Sequence, residues 1–510
     1  MDEKLKKIFY LFSSALLLLL SFPRFNAWFL SYFALIPLFK FIDISKNKKE
    51  AFGGGFLSGF IFYAALLRWL PESIVKFGGL SFIFSLLPSI LTYIILSLFT
   101  ATFTLSCHIL RKKFNWRYIF LTPFVWTATE FLRAKIAFTG FPWCPLGNTQ
   151  VFFPYMIQVA DLLGVYGVSF FVVLINGTLY FILSEKIDKK IKRRVAIASL
   201  AIIINLFLYA ELRYFTYPYK SGREIHVGIA QGNIPDDVEQ REVEKIHLEV
   251  YPDLMGKIKE EDKKVSLIIL PEGPTTFSYE RNPLYREFMK ELAEKNKSAI
   301  IFNSIHYKKD GYYNSIYSLD KNGNLVAIYD KIKLVPFAEY VPLKKLFFFV
   351  NSMTDEVSNF KCGKKYVLHD IDGTKYGGFI CYESIFPKIA INFVRKGANV
   401  LLNLTNDNWF SGSDAPYQHF NHIILRAVET RRWIVRVANG GISAIIDPFG
   451  RITKITPFGH RTFATGKIYS LKYWTPYQYI GDTFSYLSIL IVFLFLFMAR
   501  GVKEETPPPH

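Results

Sequence analysis

Cys381 is the residue of this sequence whose type and position most clearly suggest chemistry. It ends the apolar run Tyr376 to Ile380, which predicts a strand, and the stretch Ile385 to Val394 after it has helical character. A thiol between a strand and a helix lies on a turn that can present a nucleophile to a substrate. Because a free thiol has a pKa of about 8.5, it needs a neighbouring base to remove its proton during attack at neutral pH.

Two other stretches offer the partners that such a thiol needs. Glu272 follows the apolar run Leu267 to Leu270, and Lys331 follows a second β-rich run. Glu272 is suited to act first as general base and then as the acid that protonates the leaving group. The ammonium of Lys331 is suited to stabilise an oxyanion, together with the backbone N–H of Tyr382. Lys333 shares a strand face with Lys331 by two-residue alternation and is the alternative oxyanion lysine.

Each residue taken alone has an ordinary structural explanation. A glutamate after a strand is commonly part of a polar turn, a lysine in a strand commonly lies at a solvated edge, and a cysteine after isoleucine commonly belongs to the core. The three residues, however, follow strands of one predicted domain in the order Glu272, Lys331, Cys381. Their joint occurrence favours a shared catalytic site.

The residues from 213 to 470 have the pattern of an α/β domain, in which buried strands alternate with helices. Strands are predicted at His226 to Gln231, Val265 to Leu270, Ala299 to Ser304, Leu325 to Tyr329, Tyr376 to Ile380, Val400 to Leu404 and Ile442 to Ile446. Helices are predicted at Asp237 to Glu260, Pro283 to Lys295, Pro387 to Lys396 and Asp414 to Arg436. Arg426, Glu429 and Arg436 on the last helix are expected to form internal ion pairs.

The segment Asn406 to His419 is long, polar and aromatic, which is typical of an active-site lid, with a plain surface loop as the alternative. Trp409 and Phe410 are its candidate lid residues. His419 and His422 suggest a metal, but no third ligand stands at a suitable spacing, so we expect no metal and no cofactor. The cysteines form no Cys-x-x-Cys pair; they are Cys107, Cys144, Cys362 and Cys381.

The first part of the chain has the composition of a membrane domain, with long runs of Leu, Ile, Phe and Ala. Eight candidate spans are predicted near 8–22, 26–42, 54–70, 80–106, 117–133, 162–183, 195–211 and 484–499. The predicted organisation is therefore a membrane domain at 1–211 with about seven transmembrane helices, a catalytic domain at 213–470 and a final transmembrane helix at 484–499.

Basic residues in the short loops set the predicted orientation, because they are retained on the cytoplasmic side. With the N-terminus inside, the cytoplasmic segments contain Lys4, Lys6, Lys7, Lys46, Lys48, Lys49, Arg111, Lys112, Lys113, Arg117, Lys186, Lys189, Lys190, Lys192, Arg193, Arg194, Arg500 and Lys503. Both termini are then cytoplasmic and the 213–470 domain is extracytoplasmic. Much of the formal charge of +19 lies in these clusters, so it indicates anionic headgroups rather than a nucleic acid.

Motifs around the candidate residues resemble those of a known family. They are Gln231 to Pro235, Leu334 to Pro342, Cys381 to Glu383, Asn406 to Phe410, Ala415 to His419 and Thr139 to Trp143. They are similar to the apolipoprotein N-acyltransferase family, within the nitrilase or carbon–nitrogen hydrolase superfamily, over nearly the whole chain. One departure lies at Asp237 to Arg241, where the family carries a tryptophan and this chain has no aromatic residue.

The resemblance implies a triad of Glu272, Lys331 and Cys381 in an extracytoplasmic, nitrilase-like αββα sandwich domain. It also implies supporting or substrate-contacting roles for Glu339, Tyr382, Glu383 and Trp143. The implied reaction is N-acylation of the N-terminal diacylglyceryl-cysteine of an apolipoprotein, through a cysteine thioester. The implied acyl donor is a phospholipid, with phosphatidylethanolamine as the expected one, and the implied location is the cytoplasmic (inner) membrane of a bacterium.

Two other functions remain as alternatives. A membrane-tethered amidase that hydrolyses a small amide would use the same triad, but it would not need seven spans before its catalytic domain. A transporter or scaffold with an inactive domain would not need an intact Glu272, Lys331 and Cys381. Its spans would also be expected to carry midplane carboxylates and paired broken helices, which this sequence lacks.

Overall fold

The computed structural model of the chain describes residues 2–78, 81–136, 140–185, 187–235, 239–273, 277–336, 338–340, 359–410 and 412–500. Thr139, Asp237, Phe337, Val341 and Pro342, which belong to segments discussed above, lie outside these residues. Contacts among the described residues divide the chain into two compact units. The helical unit comprises Met1–Leu70, Leu86–Phe215 and Ile480–His510, and the α/β unit comprises Pro71–Ser85 and Thr216–Tyr479.

The α-helices from residue 3 to residue 216 are mostly those of the helical unit. They are α1 (Glu3–Ser21), α2 (Ile36–Ile44), α3 (Lys48–Leu66), α4 (Leu70–Gly78), α5 (Phe82–Phe114), α6 (Thr122–Ile136), α7 (Pro154–Ile157), α8 (Ala160–Leu183) and α9 (Lys189–Thr216). In the described residues, α5 with its 3₁₀ extension to Phe120, α8 and α9 are long and apolar enough to cross a membrane. A fourth span results if α3 and α4 form one broken crossing, and the apolar C-terminal helix is shorter.

The segment 26–42 does not form the continuous helix that its hydrophobicity predicts. It contains a 3₁₀ helix, Trp28–Tyr32, followed after a break by α2. Asn176 of α8 satisfies backbone groups at this break, because its Nδ2 donates to the carbonyl of Ser31 at 2.8 Å and its Oδ1 accepts from the N–H of Leu35 at 2.9 Å. A polar side chain from a distant helix thus replaces the intrahelical bonds that an apolar environment requires.

The α/β unit is built on two sheets. Its strands are β1 (Glu224–Gln231), β2 (Leu267–Ile269), β3 (Ala299–Lys308), β4 (Gly311–Leu319), β5 (Leu325–Asp330), β6 (Leu368–Ile371), β7 (Thr374–Ile380), β8 (Val400–Asn406), β9 (Ile434–Asn439), β10 (Ala444–Ile446), β11 (Ile452–Ile455) and β12 (Thr462–Tyr469). Within the described ranges each sheet has six strands, in the orders β12-β1-β2-β3-β4-β5 and β11-β10-β9-β8-β7-β6. The neighbours β1, β2 and β3 are parallel, as are β7, β8 and β9.

The sheets face each other and carry helices on their outer faces. The remaining helices are α10 (Gln240–Glu261), α11 (Pro283–Asn296), α12 (Pro387–Arg395), α13 (Ala415–Thr430), α14 (Pro476–Ile480) and α15 (Thr483–Met498), of which α15 belongs to the helical unit. Apolar side chains of α10 and α11 share one buried core with β2, β3 and β4. Helix α12 packs against β7, α13 packs against β9, and β4 contacts β7 between the sheets. The predicted α/β layers are therefore present.

The predicted strands of this domain are all present, but the helix predicted from Asp414 to Arg436 is too long. Helix α13 ends at Thr430 because Arg431 adopts left-handed backbone angles, with φ at +47°. The chain then enters β9, so Arg436 is a strand residue and not a helix residue. The prediction failed because the buried residues of α13 and β9 form one apolar pattern without a glycine or proline between them.

Candidate active site

Glu272 lies just beyond the end of β2 and its carboxylate is buried. Oε1 accepts a hydrogen bond from Nδ2 of Asn314 at 2.8 Å, and Oε2 accepts one from the backbone N–H of Asn406 at 3.1 Å. Burial raises the pKa of Glu272 against the opposing effect of Lys331, and the charge of Glu339 adds to the rise. A carboxylate with a raised pKa is a stronger base than an exposed one, which suits it to remove a thiol proton.

Lys331 follows β5, and its ammonium lies between two carboxylates. Nζ is 2.9 Å from Oε1 of Glu339 and 3.8 Å from Oε1 of Glu272, and the side chain is 1% exposed. The second oxygen of Glu339 accepts a hydrogen bond from the N–H of Val335 at 2.8 Å. Burial alone would lower the pKa of Lys331, but Glu339 and Glu272 raise it above its usual value. Lys331 therefore remains cationic, as an oxyanion-stabilising group must.

Lys333 has a different environment. Its Nζ lies 5.2 Å from the centre of the Phe386 ring, and partial burial lowers its pKa. Its backbone N–H donates to Glu383 at 3.0 Å. Because Lys331 makes the ion pair with Glu339, this arrangement favours Lys331 over Lys333 as the oxyanion lysine, an assignment that remains a prediction.

Cys381 begins a short 3₁₀ helix, Cys381–Ile385, directly after β7. Its φ is +48°, in the left-handed region that residues other than glycine rarely adopt, and strain of this kind is common at functional turns. Desolvation and the charge of Glu272 raise the pKa of the thiol, although Lys331 opposes the rise. The resting cysteine is therefore a neutral thiol, and its attack must be coupled to proton transfer.

Glu383 connects the backbone at the lysine to the backbone at the nucleophile. Its buried carboxylate accepts hydrogen bonds from the Tyr329 hydroxyl at 2.8 Å and from the N–H groups of Ile332, Lys333 and Ile380 at 2.7, 3.0 and 2.8 Å. Burial raises the pKa of Glu383 to about 7 in spite of these donors. Since the bonded groups flank both Lys331 and Cys381, Glu383 fixes their relative position.

His419 on α13 contacts the nucleophile turn, the 3₁₀ helix Cys381–Ile385. Its Nε2 lies 3.1 Å from the carbonyl oxygen of Cys381 and 2.7 Å from Oγ of Ser384. Its Nδ1 lies 3.0 Å from Oδ1 of Asp407, whose Oδ2 accepts a hydrogen bond from Arg436 at 2.6 Å. Burial would raise the pKa of Asp407, but Arg436 and His419 lower it to about 2. This network holds the turn through the carbonyl group of Cys381 and the hydroxyl of Ser384.

The predicted internal ion pairs are present, with a change of partner for one arginine. Arg426 pairs with Glu429 at 2.7 Å and also donates to the carbonyl of Ile385 at 3.2 Å. Arg436, placed by β9, pairs with Asp407 at 2.6 Å. Arg426 thus contacts the end of the nucleophile turn directly, whereas Arg436 and Asp407 act on it through His419. Pairing also lowers the cost of burying these charges.

The segment Asn406 to His419 is not a single loop. Asn406 ends β8, a 3₁₀ helix spans Asn408–Phe410, and α13 begins at Ala415. Trp409 and Phe410 are partly exposed, and the Phe410 ring centre lies 6.3 Å from that of His419. A lid role for these two residues remains a prediction.

The other two predicted aromatic contacts are both buried. Tyr382 packs edge-on against Phe386, with ring centres 5.1 Å apart. Trp143 belongs to the helical unit, where its ring centre lies 5.2 Å from that of Trp69 and its carbonyl accepts a hydrogen bond from Arg133 at 2.8 Å. A substrate contact by Trp143 remains a prediction. Asp237, in the segment that lacks the family's tryptophan, lies outside the described residues.

Asn314 is a site residue that the sequence does not reveal. It lies on β4, and its Nδ2 donates to Oε1 of Glu272 at 2.8 Å and to Oε1 of Glu339 at 3.0 Å. Its carbonyl oxygen also accepts the N–H of Lys331 at 2.8 Å. An asparagine among tyrosines and serines does not indicate a site residue by its sequence context. The pairing of β4 with β5 brings it to the charged cluster of Glu272, Lys331 and Glu339.

The described residues contain no group of three or more His, Cys, Asp or Glu side chains arranged to hold a metal ion. His419 instead uses both ring nitrogens in the contacts with Ser384 and Asp407. All the cysteines are free thiols; they are Cys107, Cys144, Cys362 and Cys381.

Comparison with known proteins places this chain in a family. The model of the apolipoprotein N-acyltransferase N-terminal domain matches residues 14–178, and the carbon–nitrogen hydrolase model matches residues 227–475. An apolipoprotein N-acyltransferase of Geobacter metallireducens is 32% identical over 490 residues, which cover 93% of this chain and 92% of the relative. One from Haemophilus influenzae is 32% identical over 503 residues, covering 95% and 94%.

Among solved structures, Nit3 of Saccharomyces cerevisiae, a member of the nitrilase superfamily, is 20% identical, with a TM-score of 0.38. The match covers 48% of this chain and 90% of that chain. The long matches to curated relatives decide the assignment, because they extend through both the helical and the α/β parts of the chain. The chain belongs to the apolipoprotein N-acyltransferase family, and its α/β unit carries the carbon–nitrogen hydrolase domain of that family.

Proposed function

We propose that this chain transfers an acyl group from a phospholipid to the N-terminal diacylglyceryl-cysteine of apolipoproteins, which completes lipoprotein maturation. Similarity to curated apolipoprotein N-acyltransferases over 93% of the chain supports the acyltransferase activity. The observation that carries the chemistry is the buried Lys331 ammonium between Glu272 and Glu339, where Glu272 and Lys331 both act electrostatically on the Cys381 thiol.

In the first half-reaction, Glu272 takes the proton of the Cys381 thiol as sulfur attacks the ester carbonyl carbon of the phospholipid. The carbonyl electrons move to oxygen, and the Lys331 ammonium stabilises the resulting oxyanion. When the intermediate collapses, the carbon–oxygen bond of the ester breaks and Glu272 returns the proton to the departing alkoxide. The products are a lysophospholipid and a thioester on Cys381.

In the second half-reaction, the α-amine of the lipoprotein attacks the thioester carbonyl carbon. Glu272 removes a proton from the attacking nitrogen, and Lys331 again stabilises the oxyanion. The carbon–sulfur bond then breaks, Glu272 returns the proton to sulfur, and the amide product leaves. Each residue therefore acts in both halves, as expected for a two-stage scheme with one nucleophile.

Glu339 and Glu383 have supporting roles in this scheme. Glu339 is the close counter-ion of Lys331, and it keeps the lysine charged in a buried site. Glu383 holds the backbone on which Lys331 and Cys381 stand. An amidase would need the same cluster with water as acceptor. The apolar helices of the chain favour acceptor and donor molecules that are anchored in a lipid bilayer.

The membrane arrangement that fits this reaction is a multi-pass protein of the bacterial cytoplasmic membrane. We propose about eight spans, an extracytoplasmic catalytic domain and cytoplasmic termini, on the basis of the lysine and arginine clusters in the short loops. A reporter enzyme fused after Lys503 should be active only in the cytoplasm. A fusion that is active only outside the cytoplasm would show that the orientation is wrong.

The acyltransferase activity can be tested with the purified protein in lipid nanodiscs that contain phosphatidylethanolamine. Addition of a synthetic diacylated lipopeptide should yield the triacylated product, and mass spectrometry would detect the added acyl chain. Cys381→Ala should form none, and Cys362→Ala, which removes another free thiol of the α/β unit, should retain the activity. Release of free fatty acid without triacylated product would indicate a hydrolase instead.

A further inference from the structure

In the charged cluster two carboxylates, those of Glu272 and Glu339, face the one ammonium of Lys331. Their distances from the ammonium are unequal. Glu339 makes the close ion pair with Lys331 at 2.9 Å, whereas Glu272 stays at 3.8 Å. A base that formed the close pair itself would hold its proton less tightly and would be a weaker base. Something other than Lys331 must therefore hold Glu272 in place.

Asn314 is the group that spans both carboxylates. Its Nδ2 lies 2.8 Å from Oε1 of Glu272 and 3.0 Å from Oε1 of Glu339, so each amide hydrogen has one carboxylate acceptor. The other oxygen of Glu272 is held by the backbone N–H of Asn406 at 3.1 Å. Both oxygens of Glu272 thus have fixed donors that are not the lysine.

The orientation of the Asn314 amide follows from a second asparagine. Nδ2 of Asn303 donates to the backbone carbonyl of Ser315 at 3.0 Å, and a carbonyl can only accept. The same Nδ2 donates to Oδ1 of Asn314 at 2.7 Å, so the Asn314 amide must turn its Nδ2 to the carboxylates. The donor and acceptor roles of both amides are fixed by this chain of bonds.

We propose that Asn314 is a positioning residue that assigns the two carboxylates their separate roles, with Glu272 as base and Glu339 as counter-ion of Lys331. The inference rests on the proposed role of Glu272 as the base for Cys381. The titratable groups that act on Glu272 in the described residues are Lys331, Glu339 and the Cys381 thiol. Loss of the Asn314 donor removes a bond that favours the ionised form of Glu272, so the carboxyl should bind its proton more tightly.

The test compares Asn314→Ala with the matched control Asn296→Ala. Asn296 is also a buried asparagine, but its amide donates to the carbonyl of Leu292 on α11, outside the site. The first readout is alkylation of Cys381 by iodoacetamide as a function of pH, followed by peptide mass mapping, which needs no lipid substrate. The second is the rate of acyl loading of Cys381 from phosphatidylethanolamine.

We expect the acid limb of the alkylation profile to move to higher pH in Asn314→Ala, and loading to slow by about tenfold or more. Asn296→Ala should change neither. Asn303→Ala releases the orientation of Asn314 but leaves its amide donor in place, and it also removes the bond to the carbonyl of Ser315. It should move the acid limb in the same direction by less, and it serves if Asn314→Ala does not fold. An acid limb in Asn314→Ala and Asn303→Ala that matches wild type would overturn the inference. Wild-type protein that never loads, with the shift still present, would instead refute the proposed function.

Discussion

The two sheets contribute different kinds of group to the same site. The first sheet supplies charged side chains, because Glu272 follows β2 and Lys331 follows β5. The second sheet supplies a backbone turn at Cys381 after β7, held by hydrogen bonds to Glu383 and His419. In the first region the ionisable groups pair mainly with one another and with the amide of Asn314. In the second region they are bonded to the backbone and to neighbouring side chains.

The environments of the carboxylates reflect this division. Glu272 and Glu339 both lie near Lys331, and both accept a hydrogen bond from Asn314. A change in the charge of any one of these ionisable groups therefore alters the electrostatic environment of the other two. Glu383 is bonded mainly to backbone N–H groups, which cannot titrate. A substitution in the first region should therefore affect the reaction, and one in the second region should affect the stability of the turn.

The largest effect is expected for Lys331→Met, which retains the aliphatic stem and removes the charge. Formation of the acyl-enzyme should slow by ~100-fold or more, because the oxyanion loses its cationic partner. A time course of intact-protein mass after addition of phospholipid measures this rate. Lys333→Met is the control and should load at close to the wild-type rate. If Lys333→Met were crippled and Lys331→Met were active, the lysines would have been assigned wrongly.

In the second region, Glu383→Ala should reduce stability. The substitution leaves the N–H groups of Ile332, Lys333 and Ile380 without their acceptor, at a cost of roughly 2–4 kcal/mol in the free energy of unfolding. Thermal unfolding of the detergent-solubilised protein would show this as a lower Tm. Glu249→Ala, at an exposed position of α10, should leave Tm nearly unchanged. Equal Tm values for the two variants would argue against the proposal that Glu383 stabilises the backbone at Lys331 and Cys381.

A smaller effect is expected in the pH dependence of stability. The pKa of Glu383 is about 7 in the folded protein against an ordinary value of 4.5, so the folded state binds this proton more tightly than the unfolded state. Its stabilising contribution is present below about pH 4.5 and is lost as pH rises through about 7. The Tm of wild type relative to Glu383→Gln should therefore fall between pH 4.5 and 7.5. A relative Tm that is constant or rises over this range would contradict the shift.

Much of the site could be predicted from the sequence, because its reactive residues follow recognisable apolar strands. Glu272 and Cys381 come directly after runs whose hydrophobicity reports burial in a sheet. Asn314 and Asp407 could not be found in this way. The role of Asn314 depends on which strands pair, and that of Asp407 depends on its ion pair with Arg436. The sequence around an isolated polar residue does not indicate such contacts.

The membrane part shows the same limit. A window of apolar residues predicts a span, but it does not report a polar residue elsewhere that stabilises a break. Asn176 lies far along the chain from Ser31 and Leu35, whose backbone groups it satisfies. Similarly, the left-handed conformation of Arg431 ends α13, although the sequence has no glycine there to indicate a helix end. In the first case a tertiary contact replaces the local hydrogen bonds, and in the second the residue that ends the helix is not one that the sequence pattern marks.

The most direct test of the account is the covalent intermediate on Cys381. Incubation of the purified protein with phosphatidylethanolamine and no amine acceptor should add one acyl chain to the intact mass, removable by hydroxylamine at neutral pH. Cys381→Ala should show no addition, while Cys107→Ala, Cys144→Ala and Cys362→Ala should load normally. An unmodified wild-type protein that still forms triacylated lipopeptide, or an acyl chain that maps to another cysteine, would contradict the proposed mechanism.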